Sequence, residues 1–328
     1  MFRDKMTSTI IIAGGLLATA TLAGTAIANH QMAKAAETKH PPEGRFLMVD
    51  GVRLHFVDSG GDGSPVVLLH GNGTMIADIK ISGLIERAPR RYRTIAFDRP
   101  GFGYSSRPRD AAWTPSAQAM LFRKAFTQLG IEKPIIVAHS WGTLVALGLV
   151  LEQDAAGGLV LVSGYYYPTA RADVALLSPP AIPLLGDIMR HTVSPLLGRM
   201  LAPHMIRKSF APAEVTPEFK RHFPLDMSLR PSQIRASAEE TALMTPAAAK
   251  FQNRYSSLNL PVSIIAGAGD RIVNVDNQSR RLARDIPGST LLILPGLGHM
   301  LHHSAPDEVM AAVETISHRI SESRRLAA

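Results

Sequence analysis

Six stretches of the chain are short, nearly continuous apolar runs closed by glycine or another small residue: "PVVLLHG" (65–71), "RTIAFDRPG" (93–101), "PIIVAHS" (134–140), "GLVLVSG" (158–164), "PVSIIAG" (261–267) and "TLLILPG" (290–296). A strand with one solvated face alternates apolar and polar residues. A strand covered on both faces need not, and that situation belongs to parallel sheets flanked by helices. Helical patterns stand between several of the runs. In "SAQAMLFRKAFTQLG", Ser116 is a candidate N-cap, Phe122, Ala125, Phe126 and Leu129 share one face, and Gly130 marks the stop. Strand alternating with helix predicts an α/β fold with a doubly wound, mostly parallel sheet. Two further strands, in "RFLMVDGVRLHFVDSG", bring the sheet to eight; Asp50-Gly51 between them tolerates the positive φ that a tight hairpin demands.

The rhythm breaks once. Between Gly164 and Leu260 no buried-strand pattern occurs, and the gap is too long for a structureless loop. It holds helix-like pieces chopped by prolines, so residues 165–255 read as a helical lid inserted into a core of 45–164 and 256–328. Residues 31–44 read as a linker, and 1–30 as a signal anchor or signal peptide. From Ile10 to Ala28 no residue is charged, and as a helix this run is about 29 Å long, close to the hydrocarbon thickness of a bilayer. Its length favours an uncleaved anchor holding residues 8–28 in the membrane. "AIA" at Ala26 to Ala28 has the form of a cleavage site, and the alternative is a secreted protein. Arg3 and Lys5 ahead of the run predict that the first residues stay in the cytoplasm and the rest of the chain lies outside.

Charge and cysteine content narrow the chemistry. The net charge of +8 suits an anionic partner, yet there is no long Lys/Arg block and no run of interleaved aromatics, so nucleic acid is not expected. The absence of cysteine removes disulfides, thiolate metal sites and a cysteine nucleophile together.

In "AHSWGT" a serine sits where a buried strand turns into a helix. Ala138 and Gly142, two residues either side of Ser140, are small, as a sharp strand-to-helix turn requires, and such a turn presents a hydroxyl at the carboxyl edge of the sheet. Serine needs a base and a group orienting that base. Asp270 lies just beyond "PVSIIAG" and His299 just beyond "TLLILPG", in the chain order Ser, Asp, His. His302 and His303 compete for the role of base, but "GLGH" puts His299 in a glycine turn directly off its strand. An oxyanion needs two backbone donors; Trp141, following the serine, and Asn72 in "HGNGT" are the candidates. His70 is read as structural.

These motifs carry a resemblance. From about Arg45 to Ala327, "HGNGT", "FDRPGFGYSS", "AHSWGT", "AGAGDRIV" and "GLGHMLHHSAPDEVMAAV" resemble, in order, the signatures of the α/β-hydrolase family with a helical lid. The resemblance implies Ser140 as nucleophile, His299 as base, Asp270 as orienting acid, Asn72 and Trp141 as oxyanion donors, and no metal or organic cofactor. Two departures stand out. Ala138 replaces the first glycine of the usual elbow. Asn72 and Trp141 resemble the halide-holding pair of haloalkane dehalogenases, whose nucleophile is an aspartate, and Ser140 cannot form the alkyl ester that those enzymes hydrolyse. The expected activity is hydrolysis of carboxylic esters or related acyl compounds. Alternatives on the same triad are aminopeptidase, C–C bond hydrolase, perhydrolase or haloperoxidase and acyltransferase chemistry, and a non-catalytic ligand-binding protein is the rival from outside enzymes. Lid methionines (Met189, Met200, Met205, Met227 and Met244) and "GYYYP" (164–168) suit an apolar acyl chain, or else simply pack the lid on the sheet.

Overall fold

The computed structural model describes the backbone of residues 2–327 and the side chains of residues 15, 17 and 19–326. Helix α1 (Phe2–Lys39) leads into β1 (Arg45–Val49), β2 (Val52–Asp58) and β3 (Ser64–Leu69). Next come α2 (Ile76–Ser82), α3 (Leu84–Arg87), β4 (Tyr92–Phe97), α4 (Pro115–Gln128), β5 (Ile135–His139), α5 (Gly142–Leu151) and β6 (Gly158–Val162). Six helices follow without a strand: α6 (Ala172–Leu177), α7 (Leu185–His191), α8 (Val193–Phe210), α9 (Pro217–His222), α10 (Leu225–Ser228) and α11 (Pro231–Phe251). The chain then completes β7 (Val262–Gly267), α12 (Arg281–Asp285), β8 (Thr290–Leu294), α13 (Leu301–Ser304) and α14 (Pro306–Ala327).

The eight strands form one sheet in the order β1-β2-β4-β3-β5-β6-β7-β8. Strands β3 to β8 pair in parallel, and the β1–β2 hairpin closes one edge antiparallel. Val49 pairs with Val52, leaving the two-residue loop Asp50-Gly51 with both φ positive. The apolar runs divide by parity, because successive side chains of a strand point to opposite faces. Val67, Leu69, Ile136, Ala138, Leu159 and Leu161 enter the core beneath α4 and α5. Val66, Leu68, Ile135, Val137, Val160 and Val162 enter the other, with Val309, Val313 and Ile316 of α14. Both faces are thus covered, as uninterrupted hydrophobicity requires.

Three expectations are corrected. "TLLILPG" is not buried: β8 is the far edge strand, with one paired side, and its residues are partly or fully exposed. Helix α4 is capped by Thr114, whose side chain accepts from the Ala117 N–H, and not by Ser116; Pro115 has no N–H to offer and its fixed φ suits the first helical position. No separate linker fills 31–44, since α1 continues to Lys39, with Ala36 buried and Glu37 paired to Arg230 at 2.6 Å. The membrane anchor finds no support here: among the described residues no helix is long and apolar enough to cross a membrane. The run is diluted by Ala, Gly and Thr, and the side chains of residues 1–14, 16 and 18 lie outside those described.

The switch in strand order falls between β3 and β5, where the chain leaves in opposite directions and a crevice opens at the carboxyl ends. Helix α11 lies over this crevice. Its Glu240 makes a two-pronged ion pair with Arg99, just past β4, and both side chains are fully buried. Gly142 fixes the other side of the crevice: a Cβ there would stand 2.6 Å from the His70 carbonyl oxygen and 2.9 Å from that of Leu69. The small residue is therefore required by the close approach of α5 to the end of β3. Gly142→Val is expected to destabilise the protein by about 1–3 kcal/mol through overpacking. Glu240→Ala, which leaves a buried guanidinium uncompensated, is expected to cost about 3–5 kcal/mol. Urea unfolding midpoints of the two variants check both values.

Candidate active site

The turn after β5 holds Ser140 at φ 52°, in the left-handed region that a residue with a Cβ rarely occupies, and its N–H donates to the Val162 carbonyl. Asp270 follows β7 and His299 follows β8 through a glycine-containing turn, so three separate loops converge. His299 Nε2 lies 2.9 Å from Ser140 Oγ, and His299 Nδ1 lies 2.8 Å from Asp270 Oδ2. The second carboxylate oxygen, Oδ1, accepts from the backbone N–H groups of Ile272 (2.8 Å) and Val273 (2.9 Å). Asp270 is thereby held in one orientation and His299 in one tautomer, with Nδ1 protonated and Nε2 free to accept. His302 and His303 donate to Asp78 at 3.2 and 2.7 Å and take no part in this set.

Asn72 and Trp141 flank the serine differently from their side-chain chemistry. Among the described residues, neither backbone N–H has a protein acceptor, as donors reserved for an oxyanion require. Their side chains are committed elsewhere. Asn72 Nδ2 donates to the Ser237 carbonyl and to Thr241 Oγ1, both at 3.1 Å, and the Trp141 indole N–H donates to the Glu240 carbonyl at 2.9 Å. All three acceptors belong to α11. Arg99 completes the arrangement: it donates to the carbonyls of His70 and Gly71, each at 2.9 Å, and its guanidinium lies 4.8 Å from the Trp141 ring centroid.

Buried histidines stand behind the site. His70 is fully buried; its Nε2 accepts from the Arg99 N–H and its Nδ1 donates to the Gly71 carbonyl, so its role is structural. Burial, aided by the Arg99 cation, brings it down to about 3. His139 donates from Nε2 to the His299 carbonyl at 3.0 Å, with the two rings 4.9 Å apart. Burial first, then the neighbouring histidines, hold His139 well below the usual histidine range, and burial lowers His302 as well. Asp78, His139 and His302 offer ligand atoms within 4.8 Å of one another, the one such grouping among the described residues. Asp78 accepts from His302 and His303 and His139 donates to the His299 carbonyl, while the Nδ1 atoms of the three histidines are buried without a partner among the described residues.

A cavity of about 990 Å³ opens beside these loops, lined by Gly73 and Ile272 from the site and by Leu197, Leu201, Met189 and Met205 from the insertion. Of the "YYY" tyrosines only Tyr165 lines it. Tyr166 and Tyr167 are core residues, and Tyr167 is hydrogen-bonded to Asp285. Met227 is buried against Met75, Met244 packs on the main core and Met200 is exposed, so two of the five methionines reach the cavity. Sequence reading missed Arg99, Glu240 and His139 as supports of the site. Arg99 carried a signal, a charged residue directly after a buried strand; Glu240, inside an ordinary helical pattern, carried none.

A model of the alpha/beta hydrolase family matches residues 66–312. Haloalkane dehalogenase 2 of Mycobacterium tuberculosis is 23% identical over 288 residues, covering 84% of this chain and 94% of that protein. The 2-hydroxymuconate semialdehyde hydrolase of Pseudomonas putida is 27% identical over 276 residues, covering 80% and 90%. An esterase structure from Thermogutta terrifontis superposes with a TM-score of 0.68 at 21% identity, over 84% of this chain and 99% of that one. A structure described as a membrane phospholipase A and bacterial virulence factor gives a TM-score of 0.64 at 18% identity, over 98% of both chains. The structural matches speak to the fold alone, whereas the family model spans most of the chain and both cores of the sheet. The chain belongs to the alpha/beta hydrolase family.

Proposed function

We propose that the protein is a serine hydrolase cleaving carboxylic esters. The observation that carries this reading is the hydrogen-bonded series Ser140 Oγ, His299 Nε2, His299 Nδ1 and Asp270 Oδ2, with links of 2.9 and 2.8 Å. His299 takes the Ser140 proton as Oγ attacks the ester carbonyl carbon. The carbonyl oxygen becomes an oxyanion between the N–H groups of Asn72 and Trp141, the latter at the start of α5, whose dipole favours negative charge. Collapse breaks the bond to the leaving alkoxy group, which takes the proton back from His299 and departs as an alcohol. His299 then deprotonates a water that attacks the acyl-serine; the second tetrahedral intermediate expels Ser140, which regains its proton, and releases the carboxylic acid. Asp270 stabilises the imidazolium in both halves.

The dehalogenase relatives do not set the chemistry. An alkyl halide is displaced by a carboxylate nucleophile, here replaced by Ser140, and the indole N–H that would hold a halide is occupied by the Glu240 carbonyl. The apolar side chains lining the cavity support an ester whose acyl chain is apolar, with the helices of 165–255 acting as its lid. The N-terminal segment is read as holding the enzyme at a membrane.

A fluorophosphonate probe is expected to label the wild-type protein, and Ser140→Ala and His299→Ala to abolish labelling and lower kcat on a model ester by about 10⁴-fold or more. Undiminished turnover in Ser140→Ala overturns the reading. The buried histidines add a pH dependence. Below about pH 6.5 the unfolded chain protonates its histidines, whereas folded His70 stays neutral down to about pH 3. Stability is therefore full above that range and falls as the pH drops, by up to about 1.4 kcal/mol per pH unit for each such histidine. Urea midpoints between pH 7 and 4 read this slope, and His70→Gln makes it shallower.

A further inference from the structure

A helix on a protein surface normally turns its apolar stripe inward. Helix α8 does the reverse. Pro195 and Phe210 are its buried residues, while Val193, Leu196, Leu197, Met200, Leu201 and Met205 are exposed, Met200 to 76%. Leu184 (79% exposed), Leu185 and Ile188 extend this apolar face across α7, and Leu176 across α6. A contiguous exposure of this kind marks an interaction surface.

Three observations say what covers it. The first is charge: α8 carries Arg199, Arg207 and Lys208 and no carboxylate, while on α7 Arg190 is buried and paired with Asp187. The second is continuity. Asn29 of α1 is buried and its Nδ2 donates to the carbonyls of His191 (3.0 Å) and Thr192 (2.7 Å), at the junction of α7 and α8. From that junction the uncharged segment 10–28 leads away, with Leu17, Leu22 and Ile27 exposed. The third is the cavity, whose lining includes the exposed Leu176, Leu197, Leu201 and Met205, so the apolar face is also its rim.

We propose that the exposed face of α6 to α8, together with α1, docks on an anionic phospholipid bilayer, with the cavity mouth turned to the lipid. Apolar side chains set into the acyl boundary and cations at the headgroups are the pairing that such a surface stabilises. A second copy of the chain fits less well, because a two-fold contact through this face brings Arg199, Arg207 and Lys208 of α8 against their own copies. The proposal does not depend on the ester reading.

The test uses the full chain with a fluorescent reporter at the most outward position of α8, Met200→Trp; the native Trp113 and Trp141 are both buried. Mixed with phosphatidylcholine vesicles containing phosphatidylglycerol, the reporter is expected to shift to the blue and be quenched by brominated acyl chains, less so with phosphatidylcholine alone or in high salt. Adding Leu196→Asp is expected to reduce that quenching about tenfold in terms of partitioning. A reporter that stays unquenched while the chain sediments with the vesicles means that only α1 engages lipid, and overturns the proposal. A reporter that shifts without lipid, in step with a concentration-dependent dimer in sedimentation, assigns the face to a second copy and overturns it equally.

Discussion

The active-site loops depend on one buried cation. Arg99 lies at the end of β4, with no exposed surface, and shares its guanidinium between the Glu240 carboxylate and the carbonyls of His70 and Gly71. Those carbonyls belong to the segment that leads into Asn72, and Glu240 belongs to the helix that receives the Trp141 indole. A charge removed from water this completely is tolerable only when it is paired and its remaining donors are satisfied. Arg99 meets that condition by drawing β3, β4, the serine turn and α11 to one point. The ion pair thus sets the position of both candidate oxyanion donors, reaching Asn72 through the carbonyls before it and Trp141 through the Glu240 carbonyl that accepts its indole N–H.

The same low-polarity surroundings shape the acid–base side. His299 is 5% exposed, and burial holds the neighbouring His139 and His302 below the usual histidine range. His139 fixes the His299 carbonyl, Asp270 fixes its ring, and backbone donors fix Asp270. An imidazole held on both sides is fixed with its Nε2 2.9 Å from the serine hydroxyl.

The parallel sheet was legible because buried strands have no polar alternation to blur them, and the converging loops were legible because each follows a strand end directly. Asp270 was marked by strand position and chain order, Ser140 also by the small residues about its turn, and His299 by the glycine turn that sets it apart from His302 and His303. The edge status of β8 was not legible, since "TLLILPG" reads like a central strand and only the sheet order reveals that nothing pairs beyond it. The Arg99–Glu240 pair joins residues 141 apart in the chain, and no local pattern announces such a partnership. The tyrosine run misled for a related reason: adjacent residues share composition but not direction, and Tyr165 alone turns to the cavity.

The insertion is consequently two structures with opposite demands. Helix α11 buries Gln233, Ala236, Ala238, Glu240 and Thr241 and holds the site through polar bonds, so moving it would expose Arg99 and release Asn72 and Trp141 together. Helix α6 buries no residue at all, and α8 buries two of eighteen. Local stability follows buried contacts, so α6 and α8 are the less firmly held part of this region and α11 the more firmly held. The same stretch of chain thus joins a firmly packed roof over the serine turn to an exposed apolar rim of the cavity.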